Sequence, residues 1–302
     1  MTKTVNELVE IFASQHTSDP PQLDAQLIIA HILEKPRTWI AAHGETPLTD
    51  PQIDSAQKEF AQLKAGTPLP YILGHWEFFG LDFDITNDVL IPRPETELLV
   101  EKAIAWLKAS PERRTVADIG TGSGVIAVSI AMHLPEANIL ATDISPAALE
   151  VARRNANKLN VQKQIEFIEC DLLPTQSGLD TPQGTRARLL DHQSSIANRK
   201  SKIDLICANL PYIPTEVMRQ LPIFGREPTL ALDGGSDGLE LYRRLFKLAP
   251  DWLAPHGMML LEIESTLGVQ ALGLAFDTFS DTTIHLHQDL AGNDRLLEIM
   301  FI

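Results

Sequence analysis

Two short segments of this 302-residue chain combine residue types that do chemistry together. The first, Asp118-Ile119-Gly120-Thr121-Gly122-Ser123-Gly124, follows an apolar run and precedes a helix-like stretch from about Val125. Glycines at such a junction let the backbone turn sharply and approach a ligand, while the helix N-terminus behind them offers free N–H groups. The second, Asn209-Leu210-Pro211-Tyr212, ends the strand-like Ile203 to Ala208. An Asn carbonyl oxygen and a backbone carbonyl can accept both hydrogens of a planar NH2 group; Pro211 fixes the backbone, and Tyr212 can cover one face of a flat substrate. A nucleotide-like cofactor facing a planar nitrogen suits methyl transfer to that nitrogen. An amide nitrogen has a delocalised lone pair, so holding it in line with a sulfonium methyl supplies much of the rate through orientation. Acceptors around it favour the positive charge that develops.

Further polar residues stand where such a cofactor needs partners. Asp143 ends the next strand-like run, Asn138 to Thr142, where a carboxylate can accept from both hydroxyls of a ribose. It can also cap the helix that Ser145-Pro146 opens. Asp171 and Leu172 end the third run, Ile165 to Glu169, where a carboxylate and a backbone N–H can meet an adenine edge, or simply cap a turn. Glu262 and Glu264 close a strand beside the expected site, although paired strand-end acids also occur as solvated edges. Val125 stands where the dinucleotide fingerprint carries Gly or Ala, which speaks against hydride transfer. The sequence contains no HExxH, GxSxG or P-loop pattern. His31, on an apolar helical face, reads as a core residue.

These residues must be held by an ordered scaffold, and the composition supplies one. Hydrophobic residues make up 44% of the chain and charged residues 22%, as in ordinary soluble proteins, and the length favours two domains over one. A net charge of −15 repels a phosphate backbone over most of the surface. Cys170 and Cys207, the two cysteines, form no CxxC pair, so neither a disulfide framework nor a zinc site is expected and a reducing cytosol fits. No signal-peptide pattern or membrane-length apolar run occurs, and a cytoplasmic protein without a membrane span is expected.

Apolar residues from Val5 to about Lys64 recur at helical spacing, divided by Pro20-Pro21, Pro36, Pro47 and Pro51, with Asp50-Pro51 as cap and first turn. Residues 1–70 are therefore expected to form a small helical domain, either a structural cap or a substrate-docking module. Between Tyr71 and Ile91, Phe79, Leu81, Phe83 and Ile85 alternate with polar residues, which predicts a β-hairpin linker over residues 71–95. From Thr96 to the end, residues 96–302, strands and helices alternate as in a mostly parallel sheet covered on both faces. The last two strands, Thr282 to Leu286 and Arg295 to Phe301, predict an added antiparallel hairpin. Residues 175–202, rich in Gln, Ser, Gly and Arg, predict a mobile surface insertion.

Beyond the glycine loop, the chain contains Pro70-Tyr71-Ile72-Leu73-Gly74, Glu77-Phe78-Phe79-Gly80 and Ile91-Pro92-Arg93-Pro94-Glu95-Thr96-Glu97. It also contains Arg226-Glu227-Pro228, Ala231-Leu232-Asp233-Gly234-Gly235-Ser236-Asp237-Gly238-Leu239 and Gly292-Asn293-Asp294-Arg295. In these segments, and from about Leu23 to the C-terminus, it resembles the release factor glutamine methyltransferases of the HemK/PrmC type. The resemblance implies an α/β, Rossmann-like class I methyltransferase fold with a mostly parallel seven-stranded sheet, a C-terminal antiparallel hairpin and an N-terminal helical domain that docks the substrate. It implies S-adenosylmethionine as cofactor, held by Asp118, Gly120, Thr121, Gly122, Ser123, Gly124, Asp143, Ile144, Asp171, Leu172 and Asn209, with no metal. The implied substrate is the glutamine of the GGQ motif of class I peptide chain release factors, methylated on its side-chain nitrogen. Asn209, Pro211 and Tyr212 would be catalytic, and Leu210, Arg93 and Glu95 would join them in holding the substrate. A monomer with no direct nucleic-acid contact is expected. The alternatives are a ribosomal-protein glutamine or adenine-N6 methyltransferase, or a non-catalytic protein that binds translation factors. The family usually carries Pro where this chain has Leu210, a change expected to loosen the loop.

Overall fold

The computed structural model describes residues 3–16, 20–174 and 202–302. The insertion expected over 175–202 lies outside the described residues apart from Lys202. The chain divides into two compact units, Met1–His75 and Trp76–Ile302.

In the first unit, prolines that cannot continue a helix open new ones. The unit comprises α1 (Val5–Ala13), α2 (Pro21–Leu33), α3 (Arg37–Ala42), α4 (Asp50–Lys64) and α5 (Leu69–Leu73). Pro20, Pro36 and Pro68 are the residues before α2, α3 and α5, where a missing N–H is harmless. A capping box between Thr4 and Glu7 starts α1, and Thr49 rather than Asp50 precedes α4. Val5, Leu8, Val9 and Phe12 of α1 are buried, as are Ile53, Ala56, Phe60 and Leu63 of α4. Phe12 stacks on Phe60 with ring centroids 4.1 Å apart. The buried face of α2 is Ala25, Ile28 and Ile29. His31, expected in this core, is only half-buried and lies 3.9 Å from Glu59, because the face it shares with Leu27 is turned outward by the packing of Ile28 and Ile29.

The hairpin pairs β1 (His75–Phe78) with β2 (Leu81–Asp84). Its two-residue turn, Phe79-Gly80, has φ of 54° and 71°, the left-handed pair that matches the twist of the flanking strands. Next come α6 (Thr96–Lys108), β3 (Thr115–Ile119), α7 (Val125–His133), β4 (Asn138–Asp143), α8 (Pro146–Lys158) and β5 (Ile165–Glu169). The chain continues through β6 (Ile203–Ala208), α9 (Thr215–Met218), α10 (Glu240–Trp252), β7 (Leu253–Glu262), α11 (Gly268–Thr278), β8 (Thr282–Gln288) and β9 (Asp294–Phe301). The sheet order is β5-β4-β3-β6-β7-β9-β8, as expected of a seven-stranded, mostly parallel sheet. Only β9 runs antiparallel to its neighbours, β7 and β8, which makes the expected terminal hairpin.

The sequence of strands reverses direction across the sheet at β3. From β3 the chain moves outward through β4 and β5, then returns to place β6 on the other side of β3. Such a switch point opens a crevice beyond the carboxyl ends of the strands. Ile119 at the end of β3 is in register with Ala208 at the end of β6. The two chemically suggestive loops therefore leave the sheet side by side. Strand β7 begins at Leu253, and its pairing with β6 shifts register between Ile203 and Leu205.

Candidate active site

Asp118 is fully buried at the end of β3, and its Oδ2 accepts from Thr121 Oγ1 at 2.6 Å and from the Ala127 N–H at 3.1 Å. It thereby ties the glycine loop to the first turn of α7. Burial pushes its carboxyl up to about 7, and neighbouring Asp143 adds to this, while the Thr121 and Ala127 hydrogen bonds oppose it. Gly120, Gly122 and Gly124 have φ of 70°, 56° and 84°, a region that side-chain-bearing residues rarely adopt. A Cβ on Gly124 would also meet Ala152 Cβ at 3.1 Å.

Asp143 Oδ2 accepts the Gly122 N–H at 2.9 Å, and Oδ1 accepts the Ser145 N–H at 2.8 Å. The cap of α8 itself is Ser145, whose Oγ accepts from Ala148 N. Asp143 thus braces the glycine loop and still lines the cavity beside it. Burial raises its pKa, and its three backbone N–H bonds oppose that shift. Asp171 forms an ion pair with Arg244 of α10, an oxygen-to-guanidinium contact that sequence spacing did not suggest. Leu172 has φ of 64°, and its carbonyl accepts from Thr142 Oγ1 at 2.7 Å.

The Asn209 loop is held from beneath and from behind. Leu210 is 3% exposed, and a Cβ on Gly120 would lie 3.1 Å from its Cδ2, so its side chain fills the space under the glycine loop. Its carbonyl accepts from the buried Tyr242 hydroxyl at 3.3 Å. These contacts anchor a position whose leucine was expected to loosen the loop. Gly234 and Gly238 pack directly on the Tyr212 backbone; a Cβ on Gly234 would lie 2.7 Å from Tyr212 Cα, and one on Gly238 would overlap the Tyr212 carbonyl oxygen. Gly234 and Gly238 therefore let two backbones touch.

The 91–97 segment works as a set of ties. Arg93 Nη2 lies 2.6 Å from Glu227 Oε1, Thr96 Oγ1 accepts from Asn209 Nδ2 at 3.1 Å, and Glu97 Oε1 accepts the Phe79 N–H at 2.8 Å. Thr96 and Glu227 were not among the expected site residues. Their only sequence signal was membership of the quoted motifs.

One cavity of about 310 Å3 joins these parts. Of the expected residues, Gly120, Thr121, Gly122, Ser123, Asp143, Ile144, Asp171, Leu172, Asn209, Leu210, Pro211 and Arg93 line it. Asp118 lies beneath the loop, Gly124 packs on α8, and Glu95 is exposed. Tyr212 directs its hydroxyl to Glu262 Oε1 at 3.4 Å rather than into the cavity. Cys170 also lines the cavity, but burial pushes its thiol up to about 12, so it is no nucleophile at neutral pH. Among the described residues no group of three or more His, Cys, Asp or Glu can hold a metal ion, and no helix is long and apolar enough to cross a membrane.

Comparison with known proteins places this geometry. Residues 7–74 match the PrmC N-terminal domain family and residues 94–181 the methyltransferase small domain family. A protein of Moorella thermoacetica named release factor glutamine methyltransferase is 39% identical over 276 residues, 91% of this chain and 89% of that one. Proteins of the same name from Chlorobaculum tepidum and Bordetella pertussis are 34% and 36% identical, over 96% and 92% of this chain and 93% and 95% of theirs. In fold alone, the chain is similar to a Thermus thermophilus 16S rRNA N2 G1207 methyltransferase solved with AdoMet and guanosine. That likeness has a TM-score of 0.50 at 15% identity and covers 76% of this chain and 50% of the other. With relatives of this identity spanning nine-tenths of its length, the chain belongs to the release factor glutamine methyltransferase family.

Proposed function

We propose that this protein transfers a methyl group from S-adenosylmethionine to the side-chain amide nitrogen of the glutamine in the GGQ motif of class I peptide chain release factors. The observation that carries this reading is the single cavity walled on one side by the glycine loop and Asp143 and on the other by Asn209, Leu210 and Pro211. The donor set fits the cofactor: a part-buried carboxylate, Asp143, for the ribose, a loop of left-handed glycines, and apolar walls at Val125, Ile126 and Leu172. Gly120 to Ser123, Asp143, Ile144, Asp171 and Leu172 would hold it, with Asp118 and Gly124 shaping the loop from behind. When bound, it supplies a methyl group on a positively charged sulfur.

The chain's own residues do the rest. Asn209 Oδ1 accepts a hydrogen from the substrate amide, which orients the nitrogen and favours the charge that develops there. Pro211 bounds the slot, and Tyr212, fastened at its hydroxyl, braces the loop. Arg93 stands at the cavity wall, where it can meet the substrate backbone. We assign residues 1–70 to docking the release factor, 71–95 to the linker and 96–302 to methyl transfer; the match of residues 7–74 to the PrmC N-terminal domain supports the first of these. On this reading the protein acts in the cytoplasm as a monomer and without direct nucleic-acid contact; its net charge of −15 supports the last of these. A ribosomal-protein or adenine-N6 substrate is not favoured, since the relatives carry the release factor name.

The test is to incubate a purified class I release factor with the protein and S-adenosylmethionine and map the product by mass spectrometry. One methyl on the GGQ glutamine is expected, and none on a factor whose glutamine is replaced by alanine. An unmodified wild-type factor after prolonged incubation overturns the reading.

A further inference from the structure

The order of the strands decides which end of the cavity receives the base of the cofactor. Asn209 follows β6 and Asp143 ends β4, with β3 and its glycine loop between them. A cofactor with its sulfur toward Asn209 and its ribose at Asp143 therefore carries its base one strand farther out, at the end of β5. Asp143 pairs in register with Glu169 of β5, and its carbonyl accepts the Cys170 N–H at 3.0 Å, so Asp171 leaves the sheet just beyond the ribose carboxylate. Ile144 and Leu230, large apolar side chains that are half-exposed, also line the cavity and offer cover for a flat ring.

Arg244 meets Asp171 at this end. Helix α10 turns Leu241 and Arg244, three residues apart, to the cavity, whereas the adjacent Arg243 pairs with Asp237 and is not part of the lining. The Arg244 guanidinium donates to Asp171 Oδ2. Their side chains are 43% and 35% exposed, so the pair contributes little to stability. Its consequence lies in the cavity. A carboxylate turns easily about its last, broad two-fold torsion. With Oδ2 held by Arg244, Oδ1 is the oxygen left for a ligand, and a carboxylate oxygen can only accept. A purine with an amino group at C6 donates to it; a purine with a carbonyl there sets acceptor against acceptor.

We propose that Arg244 is a positioning residue which, by fixing the Asp171 carboxylate, makes this end of the cavity select a 6-aminopurine over a 6-oxopurine. The proposal rests on the S-adenosylmethionine reading above. Without Arg244, Asp171 is free to swing into solvent, and the mismatch that rejects the oxopurine is relieved.

The test is calorimetric and needs no release factor: the full-length protein is titrated with S-adenosylhomocysteine, the demethylated cofactor, and with its deaminated analogue S-inosylhomocysteine. The wild type should bind the adenine compound about 10-fold or more tighter. Arg244→Met keeps an extended apolar stem without the charge and should bring the ratio to within about threefold. Arg244→Lys should restore most of it, because one N–H on one oxygen is all that the pair uses. Arg219→Met, which breaks the exposed pair with Glu216, should leave the ratio unchanged. A general loosening of the cavity weakens both compounds alike and preserves the ratio, so the ratio separates positioning from a structural role. A wild-type ratio in Arg244→Met, a wild type that binds both compounds equally, or no recovery in Arg244→Lys overturns the proposal. Should Arg244→Met not fold, Arg244→Gln reads the same ratio. If the wild type binds neither compound, it is the cofactor reading that fails; if it prefers adenine and Arg244→Met does so equally, only the role of Arg244 fails.

Discussion

Arg93 Nη2 and Glu227 Oε1 lie 2.6 Å apart, and the other Glu227 oxygen accepts the Ile91 N–H at 3.0 Å, so one buried carboxylate clamps a segment 134 positions earlier in the chain. The clamp fixes the start of the segment that delivers Thr96 to Asn209. Glu227→Ala would leave the Ile91 N–H and a part-buried guanidinium without their partner. It should cost about 2–3 kcal/mol in urea unfolding. Glu216→Ala, which breaks an exposed pair with Arg219, should cost less than about 0.5 kcal/mol. Equal losses would remove the structural role given to Glu227.

Gly238 and Gly292 share a φ of 81°, but Gly238 presses on the Tyr212 carbonyl whereas nothing lies within 4 Å of a Cβ at Gly292. Gly292→Ala therefore meets only the backbone penalty, about 1 kcal/mol, and should leave methyl transfer unchanged. Gly238→Ala should cost more than that and lower kcat about 10-fold or more, since Tyr212 must move. Thermal melts and steady-state rates on both variants separate strain from displacement.

Both oxygens of Asp143 accept backbone N–H groups, from Gly122 and Ser145. Asp143→Asn turns one acceptor into a donor facing another donor and removes a charge-assisted ribose contact. Affinity for S-adenosylmethionine should fall about 10-fold or more, equivalent to about 1.5–3 kcal/mol. Calorimetry reads this directly; unchanged affinity would place the ribose elsewhere.

Asp118 gives a stability effect whose sign runs against the usual carboxylate. Its pKa is raised on folding from 3.8 to about 7, so between those values the folded protein holds a proton that the unfolded chain has lost. Its contribution is full below pH 3.8 and is lost as pH rises through about 7, by up to about 4 kcal/mol. Asp118→Asn retains an acceptor oxygen for Thr121 and Ala127 and cannot ionise. Measured as the wild type minus Asp118→Asn, unfolding free energy should decline from pH 5 to pH 8. A difference that stays flat across that range would mean Asp118 is ionised in the fold.

Much of the scaffold was legible because it depends on local pattern. Short apolar runs bounded by turn residues marked β5 and β6 at the bounds they adopt, and the helix-like stretch from about Val125 marked the all-round buried helix α7. Helices α10 and α11 were not foreseen. Gly268 and Gly273 stand within α11, and Pro250 within α10 interrupts the local signal that packing of Tyr242, Leu245 and Phe246 overrides.

The sequence by itself determined the class of chemistry: a glycine loop after β3, an acid after β4 and an Asn-Leu-Pro-Tyr loop after β6 each have their meaning within a few residues. Only the tertiary structure decided how they are held. Register pairing of Ile119 with Ala208 puts the loops together at the switch point. Thr96 meets Asn209 from 113 positions away, Arg244 meets Asp171 from 73, and Tyr212 meets Glu262 from 50. The physical reason is that hydrogen bonds and ion pairs have reach of only a few ångströms, so partners distant in sequence exist only once the strand order is set.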